Sequence, residues 1–204
     1  MAGTVERRAR QRDALVEAAE TRIAAHGLAA LRARDLAPEI GVSLGALYNL
    51  VKDMDELVLR VGSRTLARLD ATLAAASDAV PADRAVDRLV AVALAYCAFA
   101  RDNLELWRTL FEHRLAPGAT LPDWSVTEQV RMFRHIVAPL GLLMPQASEE
   151  ERTLLARTLF SAVHGVVAIG LDEKLIAVPR AQLEAQVERL VRLVSERIME
   201  RKNV

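Results

Sequence analysis

Apolar residues recur with helical spacing through the first quarter of the chain, interrupted at positions typical of helix ends. The pattern predicts a first amphipathic helix from about Arg8 to His26, ended by Gly27. A short second helix is expected to begin near Arg34. This start would keep Pro38 in or near its first turn, where a missing backbone N–H costs least.

The second helix is predicted to meet a third, over residues 44–50, at a tight corner. Gly41 can adopt the positive φ that a helix end favours, and Ser43 stands where it can cap the third helix. The apolar residues that would fill the angle are Leu36, Ile40, Val42, Leu47 and Leu50. The outward face then carries small residues, a phenol and an amide, which suits a DNA groove. A helical hairpin buried in a larger all-α protein is the alternative.

Farther along the chain the predicted helices are longer. Asp53 and Glu56 have the spacing of a capping box and open a helix to about residue 76. A second capping box at Ser148 opens a helix that is apolar around almost its whole circumference, and a last helix is predicted over residues 180–201. A helix that is hydrophobic on all sides must be buried on all sides, which one chain alone can hardly achieve. We therefore predict a homodimer with Leu155, Leu159, Val163, Val187, Leu190 and Val194 at its interface.

The composition favours helices, since 52% of the residues are hydrophobic and only 4% are aromatic. The predicted fold class is all-α, with a three-helix helix-turn-helix head, a larger helical bundle and about nine helices. The predicted domains are residues 1–54, including a basic arm at 1–12, and residues 55–204.

Charge narrows the choice of partners. The 27 basic and 27 acidic residues balance, so affinity for nucleic acid must come from a local patch. Such a basic patch is formed by Arg7, Arg8, Arg10 and Arg12. It could follow a phosphate backbone or enter a minor groove. A solvated arm without a partner is an equal alternative.

Compartment and chemistry follow from what the sequence lacks. Cys97 is the single cysteine, which excludes an intrachain disulfide framework and favours the cytoplasm. We find no secretory signal and expect no apolar run of about 18 residues that could span a membrane.

An enzyme is the main alternative from another class. However, the four histidines fall on separate predicted helices without metal-ligand spacing, and the sequence has no phosphate loop or nucleophile elbow. We predict no catalysis, no metal and no cofactor.

Several short motifs occur together in residues 8–60: Ala18-Ala19, His26-Gly27, Arg34-Asp35-Leu36-Ala37, Gly41-Val42-Ser43, Gly45-Ala46-Leu47-Tyr48 and Asp55-Glu56. Their order resembles the DNA-binding region of the TetR family of bacterial transcriptional regulators. The chain departs from the family pattern at Leu31-Arg32, where a Ser or Thr cap is usual, and at Leu50-Val51, where His-Phe is frequent. Met54 stands where the family commonly has a lysine that contacts a phosphate. Lys52 is close enough in the sequence to make that contact instead.

The resemblance implies a homodimer that binds a palindromic double-stranded DNA operator. The residues implied in DNA binding are Arg34, Ser43, Leu44, Gly45, Ala46, Tyr48, Asn49 and Lys52. Tyr48, Lys52 and the Ser43 N–H are expected on phosphates. The side chains expected at base edges are those of Leu44, Gly45, Ala46 and Asn49.

In the second half, Trp107 and the His164-Gly165 pair resemble one C-terminal subtype of the same family. Pockets in helical bundles are mostly apolar with few polar anchors. A pocket for a small, largely apolar effector is therefore predicted among Trp107, Phe111, Phe133, Phe160 and His164, with ordinary core as the alternative for each. The expected function is a ligand-responsive transcriptional regulator, most often a repressor. The alternative is a helical ligand-binding or interaction protein whose head no longer binds DNA.

Overall fold

The computed structural model describes residues 2–173 and 176–202, and this part of the chain contains ten α-helices and no strand. The predicted all-α class is therefore confirmed. The helices are α1 (Ala2–His26), α2 (Ala33–Glu39), α3 (Leu44–Leu47), α4 (Met54–Asp78), α5 (Ala85–Asp102), α6 (Leu104–Glu112), α7 (Asp123–Met132), α8 (Arg134–Leu143), α9 (Glu149–Leu171) and α10 (Leu183–Lys202). Short 3₁₀ turns occur at Leu28–Ala30 and Arg180–Gln182.

The chain forms two compact units. The head unit comprises residues 1–67 and 103–126, and the bundle unit comprises residues 68–102 and 127–204. The head unit takes in more of the chain than the predicted residues 1–54, because α6 packs against α1. Helix α4 contributes residues to both units.

The head unit is built around a core from five of its helices and the turn after α3. The buried residues are Leu15, Val16, Ala19, Ile23, Leu36, Ala37, Leu47, Leu50, Val51, Leu57, Val61 and Leu106. Ile40 and Val42 are partly buried against it, so the apolar residues predicted to fill the corner do so. On α1 the buried positions recur every three to four residues, which is the period of one helix face.

Three helix boundaries in the head differ from the prediction. Helix α1 begins at Ala2, so the described residues of the predicted arm, 2–12, are part of this helix. Helix α2 begins at Ala33 and has only seven residues, which places Pro38 in its last turn rather than its first. Since α2 ends at Glu39, the missing N–H removes one helical hydrogen bond. Helix α3 ends at Leu47, and its extension to residue 50 is a turn closed by 3₁₀-type bonds such as Leu50 N–H to Leu47 O, 2.8 Å.

In the bundle unit, α5 packs against α8, α9 and α10, and α9 packs against α8 and α10. The side of α9 that faces this core contains Ala156, Leu159, Val163, Val167, Gly170 and Leu171. One chain does not bury α9 on every side, as the sequence led us to expect, because Leu154 and Ile169 are 65% and 44% exposed. The predicted capping box at its start is confirmed: Glu151 N–H donates to Ser148 Oγ at 3.1 Å, and Ser148 N–H donates to Glu151 Oε2 at 2.7 Å.

Helix α9 also corrects the expectation on membrane spans. By length and composition it is apolar enough to cross a bilayer, among the residues that the structure describes. Its inner face lies in the bundle core, and core helices of globular proteins pass the same test. Helix α9 is therefore weak evidence for a membrane segment.

Candidate nucleic-acid interface

The corner between α2 and α3 is closed by backbone and side-chain hydrogen bonds. Gly41 has a φ of 70°, the left-handed region that glycine adopts without strain. Val42 N–H donates to Ala37 O at 2.9 Å across the turn. Ser43 then caps α3, since its Oγ accepts the Ala46 N–H at 3.2 Å. Both residue roles predicted from the sequence, the glycine at the turn and the serine cap, are confirmed.

The residues proposed to meet DNA lie on the outside of this corner. Leu44 and Tyr48 are 46% and 44% exposed, while Ser43, Gly45 and Asn49 are also exposed. Ala46 is partly exposed, whereas Leu47, between them, is buried. Arg34 and Lys52 extend into solvent, with 70% and 86% of their side chains exposed. All eight residues predicted to contact DNA are therefore at least partly exposed. What they bind stays a prediction.

Helix α2 is fixed to α1 by one arginine. The Arg22 guanidinium lies 3.1 Å from Glu39 Oε2 and 3.8 Å from Asp35 Oδ2. Because these carboxylates lie one turn apart on α2, a single side chain can reach both. These contacts orient the α2–α3 corner on α1.

The segment after α3 is held by Glu56 at the start of α4. Asp53 Oδ1 accepts the Glu56 N–H at 2.8 Å, and Glu56 Oε2 accepts the Lys52 N–H at 2.7 Å. Burial raises the pKa of Glu56, but the Lys52 N–H and the Arg60 guanidinium 2.6 Å away outweigh this and lower it below its ordinary value. Glu56 thus stays ionised and fixes the backbone of Lys52.

The bundle unit contains a cluster of aromatic rings. Phe160 lies at its centre, with ring centroids 5.5 Å from Phe133, 5.7 Å from Tyr96 and 5.5 Å from His164. Tyr96 Oη and His164 Nδ1 are 2.7 Å apart, a hydrogen bond. Burial lowers the pKa of His164, so its imidazole is neutral near pH 7. Three of the five residues predicted to line a pocket therefore come together around an uncharged polar pair.

Trp107 and Phe111, the other two of those five residues, belong to the head unit. Their ring centroids are 5.4 Å apart, and Trp107 is 3% exposed. The structure thus groups the five aromatic residues as two clusters, one in each unit.

A charged cluster connects α4 with α7 and α8 inside the bundle unit. Asp70, which is 8% exposed, accepts from Arg134 at 2.6 Å, from Arg131 at 3.2 Å and from His135 Nε2 at 2.8 Å. Burial raises the pKa of Asp70, but the hydrogen bonds from Arg134 and His135 hold it below its ordinary value. These contacts fasten the second half of α4 to its neighbours.

The residues predicted at a dimer interface fall into two groups. Leu159, Val163 and Val187 are buried in the core of the single chain, so they offer no surface to a partner, which corrects the prediction for these three. Leu155, Leu190 and Val194 are partly exposed. The outward face of α9, defined by Leu154, Thr158, Ala162, Gly165 and Ile169, is more accessible and is made of small and apolar residues.

Residues 89–194, more than half of the chain, match the family described as the tetracyclin repressor-like C-terminal domain. The chain belongs to the TetR family. Residues 8–60, whose motifs resemble the DNA-binding region of that family, lie outside the matched segment, so the match and the resemblance cover different parts of the chain.

Solved structures share the TetR fold over nearly the full length. A Rhodococcus sp. RHA1 protein of unknown function is 24% identical, with a TM-score of 0.70 over 93% of this chain and 94% of that one. A TetR transcriptional regulator from the same organism is 19% identical, with a TM-score of 0.61 over 91% and 96%. The TetR family regulator PfmR from Thermus thermophilus is also 19% identical, with a TM-score of 0.56 over 91% and 97%. No curated protein sequence matches the chain.

Membership of the TetR family makes this chain a transcriptional regulator. TetR regulators bind DNA, typically act as dimers, are soluble cytoplasmic proteins and are generally not enzymes. Among the residues that the structure describes, no three His, Cys, Asp or Glu side chains are grouped as a metal ion requires.

One residue, Tyr96, and one contact of a predicted residue, made by Arg8, were not found from the sequence. Tyr96 belongs to the aromatic cluster, and a tyrosine on an apolar helix could have indicated a buried hydroxyl that needs a partner. Arg8 donates a hydrogen bond to the Asn49 carbonyl after α3. No periodicity connects residues 41 positions apart, so only the folded chain shows this contact.

Proposed function

We propose that this TetR-family chain is a ligand-responsive repressor that binds a palindromic DNA operator as a homodimer. The observation that carries the proposal is the capped corner at Ser43, which exposes an unusually small and apolar face for a surface segment. An α-helix inserted in the major groove needs short side chains where the backbone approaches the bases.

Within this proposal the exposed residues divide by chemistry. The cations and simple hydrogen-bond donors contact phosphates. The cations are Lys52 and Arg34, and the donors are the Tyr48 hydroxyl and the Ser43 N–H. Leu44, Gly45 and Ala46 lie against base edges, where a leucine or alanine methyl group can contact thymine. Asn49 donates to and accepts from one base, since its amide matches adenine.

The proposed dimer forms through the outward face of α9 together with α10. Small side chains at Ala162 and Gly165 allow close approach of a partner helix, and Leu154 and Ile169 provide apolar area. On α10, Leu193 is 56% exposed, and Leu190 and Val194 are partly exposed. Two copies related by a two-fold axis would place two heads on two half-sites.

The proposed effector binds in the bundle unit, at the aromatic cluster of Tyr96, Phe133, Phe160 and His164. The neutral Tyr96–His164 pair suits a small, largely apolar ligand with at most one polar group. We call residues 43–52 the DNA-facing segment. Helix α4 begins directly after this segment and contributes residues to both units. We therefore propose that α4 transmits the effect of the ligand. Such coupling is typically worth about 1–3 kcal/mol and is reciprocal.

DNA binding is tested by a gel shift on the region upstream of the chain's own gene, at several salt concentrations. The proposal predicts a complex whose affinity falls with salt and exceeds that for a scrambled duplex. Equal affinity for both duplexes would favour a head that no longer recognises DNA.

The effector site is tested with a panel of small aromatic and aliphatic compounds, scored by thermal shift and release of DNA. If the cluster is a ligand site, Phe160→Leu changes the affinity for an active compound with little loss of stability. Trp107→Ala, in the head unit, is expected to lower the melting temperature without changing that affinity. If no compound shifts the wild-type protein, the cluster is ordinary core.

A further inference from the structure

The core-facing side of α1 changes character toward its N-terminus. Val16 is buried, Arg12 one turn earlier is partly exposed, and Arg8 another turn earlier is exposed. These three positions share one helix face. That face therefore continues past the apolar core as two arginines, Arg12 and Arg8.

Arg8 reaches the end of the DNA-facing segment. One nitrogen of its guanidinium donates to the backbone carbonyl of Asn49, two residues after α3 ends. Carbonyls at a helix C-terminus lack helical partners and carry partial negative charge, so a cation there both satisfies and stabilises them. Arg8 therefore anchors the backbone of Asn49, whose amide is proposed to read a base.

Helix α1 in this way holds both helices of the corner. Arg22 fixes α2 through Glu39, and Arg8, fourteen residues earlier on α1, fixes the segment after α3. At 1.5 Å per residue these anchors are about 21 Å apart along α1. The position of α3 is thus fixed at its start by the Ser43 cap and after its end by the bond from Arg8 to the Asn49 carbonyl.

We propose that Arg8 is a positioning residue that orients Asn49 for base readout and binds an operator phosphate with its remaining N–H groups. The proposal rests on the proposed DNA-binding function. A guanidinium has five N–H donors, and the bond to Asn49 uses one, while the side chain stays exposed. Planar donors that point in two directions can bridge a backbone carbonyl and a phosphate, which an ammonium cannot do with the same geometry.

The test compares Arg8→Ala and Arg8→Lys with Arg10→Ala as the matched control. Arg10 has the same charge but lies about 200° around α1, on the exposed side with Ala14 and Glu17. The DNA is a duplex selected by the wild-type protein from a random-sequence library, with a scrambled duplex of the same length for comparison.

Arg8→Ala is expected to reduce the salt slope of binding by about one unit per protomer and to reduce the preference for the selected duplex about tenfold. Arg8→Lys is expected to keep the salt slope, because it keeps the charge, yet to lose most of the preference. Arg10→Ala should keep the preference for the selected duplex whatever its effect on the salt slope, because Arg10 lies on the other side of α1. The idea is overturned if Arg8→Ala keeps the preference as Arg10→Ala does, or if Arg8→Lys restores the preference in full.

Hydrogen exchange in the DNA-free protein separates this idea from the proposed function. Arg8→Ala should speed amide exchange at residues 49–51, while Arg10→Ala should not, whether or not the wild-type protein selects any DNA. Unchanged exchange in Arg8→Ala would refute positioning by Arg8. Faster exchange without any selected duplex would instead refute DNA binding and leave only the anchoring contact.

Discussion

Single residues at the end of the DNA-facing segment are expected to affect binding in different ways. Replacing Lys52 by Ala should weaken the binding of every duplex alike and reduce the salt slope by about one unit per half-site contact. Replacing Asn49 by Ala should relax the preference at one base position and leave the slope nearly unchanged. Binding assays at several salt concentrations distinguish the two. An unchanged slope for Lys52→Ala would remove that residue from the phosphate contacts.

Ser195 on α10 gives a prediction about stability. Its side chain is fully buried, and its hydroxyl has no hydrogen-bond partner among the described residues. A buried hydroxyl without a partner costs about 1–3 kcal/mol, and alanine is the better helix former. Ser195→Ala should therefore raise the free energy of unfolding by about 1 kcal/mol in urea titrations. Ser161→Ala, which removes an exposed hydroxyl bonded to Arg157 O, should be nearly neutral. A loss of stability in Ser195→Ala would show that the hydroxyl is satisfied.

The sequence identifies residues whose role depends on their immediate neighbours in the chain. Ser43 and Gly41 were predicted correctly because capping and positive φ are local properties of the backbone. The contacts of Tyr96 and Arg8 were missed because their partners lie 68 and 41 residues away. For those contacts no short-range signal exists.

Among the elements, α4 depends on one buried carboxylate for its attachment in the bundle unit. Asp70→Asn removes the charge that pairs with Arg131, Arg134 and His135. We expect a loss of about 2 kcal/mol at pH 7, because one carboxylate oxygen accepts from His135 and the other from the arginines, and the amide keeps only one of these acceptors.

The pH dependence of this loss has a definite sign. Because the folded-state pKa of Asp70 is lowered, its contribution is full above the ordinary value of 3.8 and disappears as the pH falls through the folded-state value. The difference in unfolding free energy between wild type and Asp70→Asn should therefore shrink below about pH 4. A difference that stays constant from about pH 7 to about pH 3 would contradict this account.

Helix existence was predictable, whereas helix ends and burial were predictable only in part. The capping box at Ser148 gave the start of α9 correctly, since it needs only two residues three positions apart. Apolar residues all around α9 did not show which face the chain itself covers. Periodicity cannot separate a core face from an interface face, because both are apolar. The placement of Pro38 was wrong because a seven-residue helix tolerates a proline in its last turn, where the missing N–H removes only one hydrogen bond.

For the whole molecule, the outward face of α9 predicts the oligomeric state. Ala162→Glu should convert a stable dimer to a monomer at micromolar concentration, because a charge would be buried at the partner helix without a counter-ion. Val130→Glu is the control, since Val130 is 56% exposed and lies on α7 in the same bundle unit. Sedimentation velocity measures both. A wild-type protein that is monomeric at micromolar concentration would contradict the proposed dimer.

Two copies of the exposed corner are proposed to read a symmetric DNA sequence. Hydroxyl-radical footprinting on the selected duplex tests this proposal, with wild type and Asn49→Ala compared side by side. We predict two protected half-sites related by two-fold symmetry, their centres about 34–36 Å or a multiple apart. Asn49→Ala should lose preference at the same position in each half-site. Uniform protection along the duplex, or equal affinity for the scrambled sequence, would contradict the proposal.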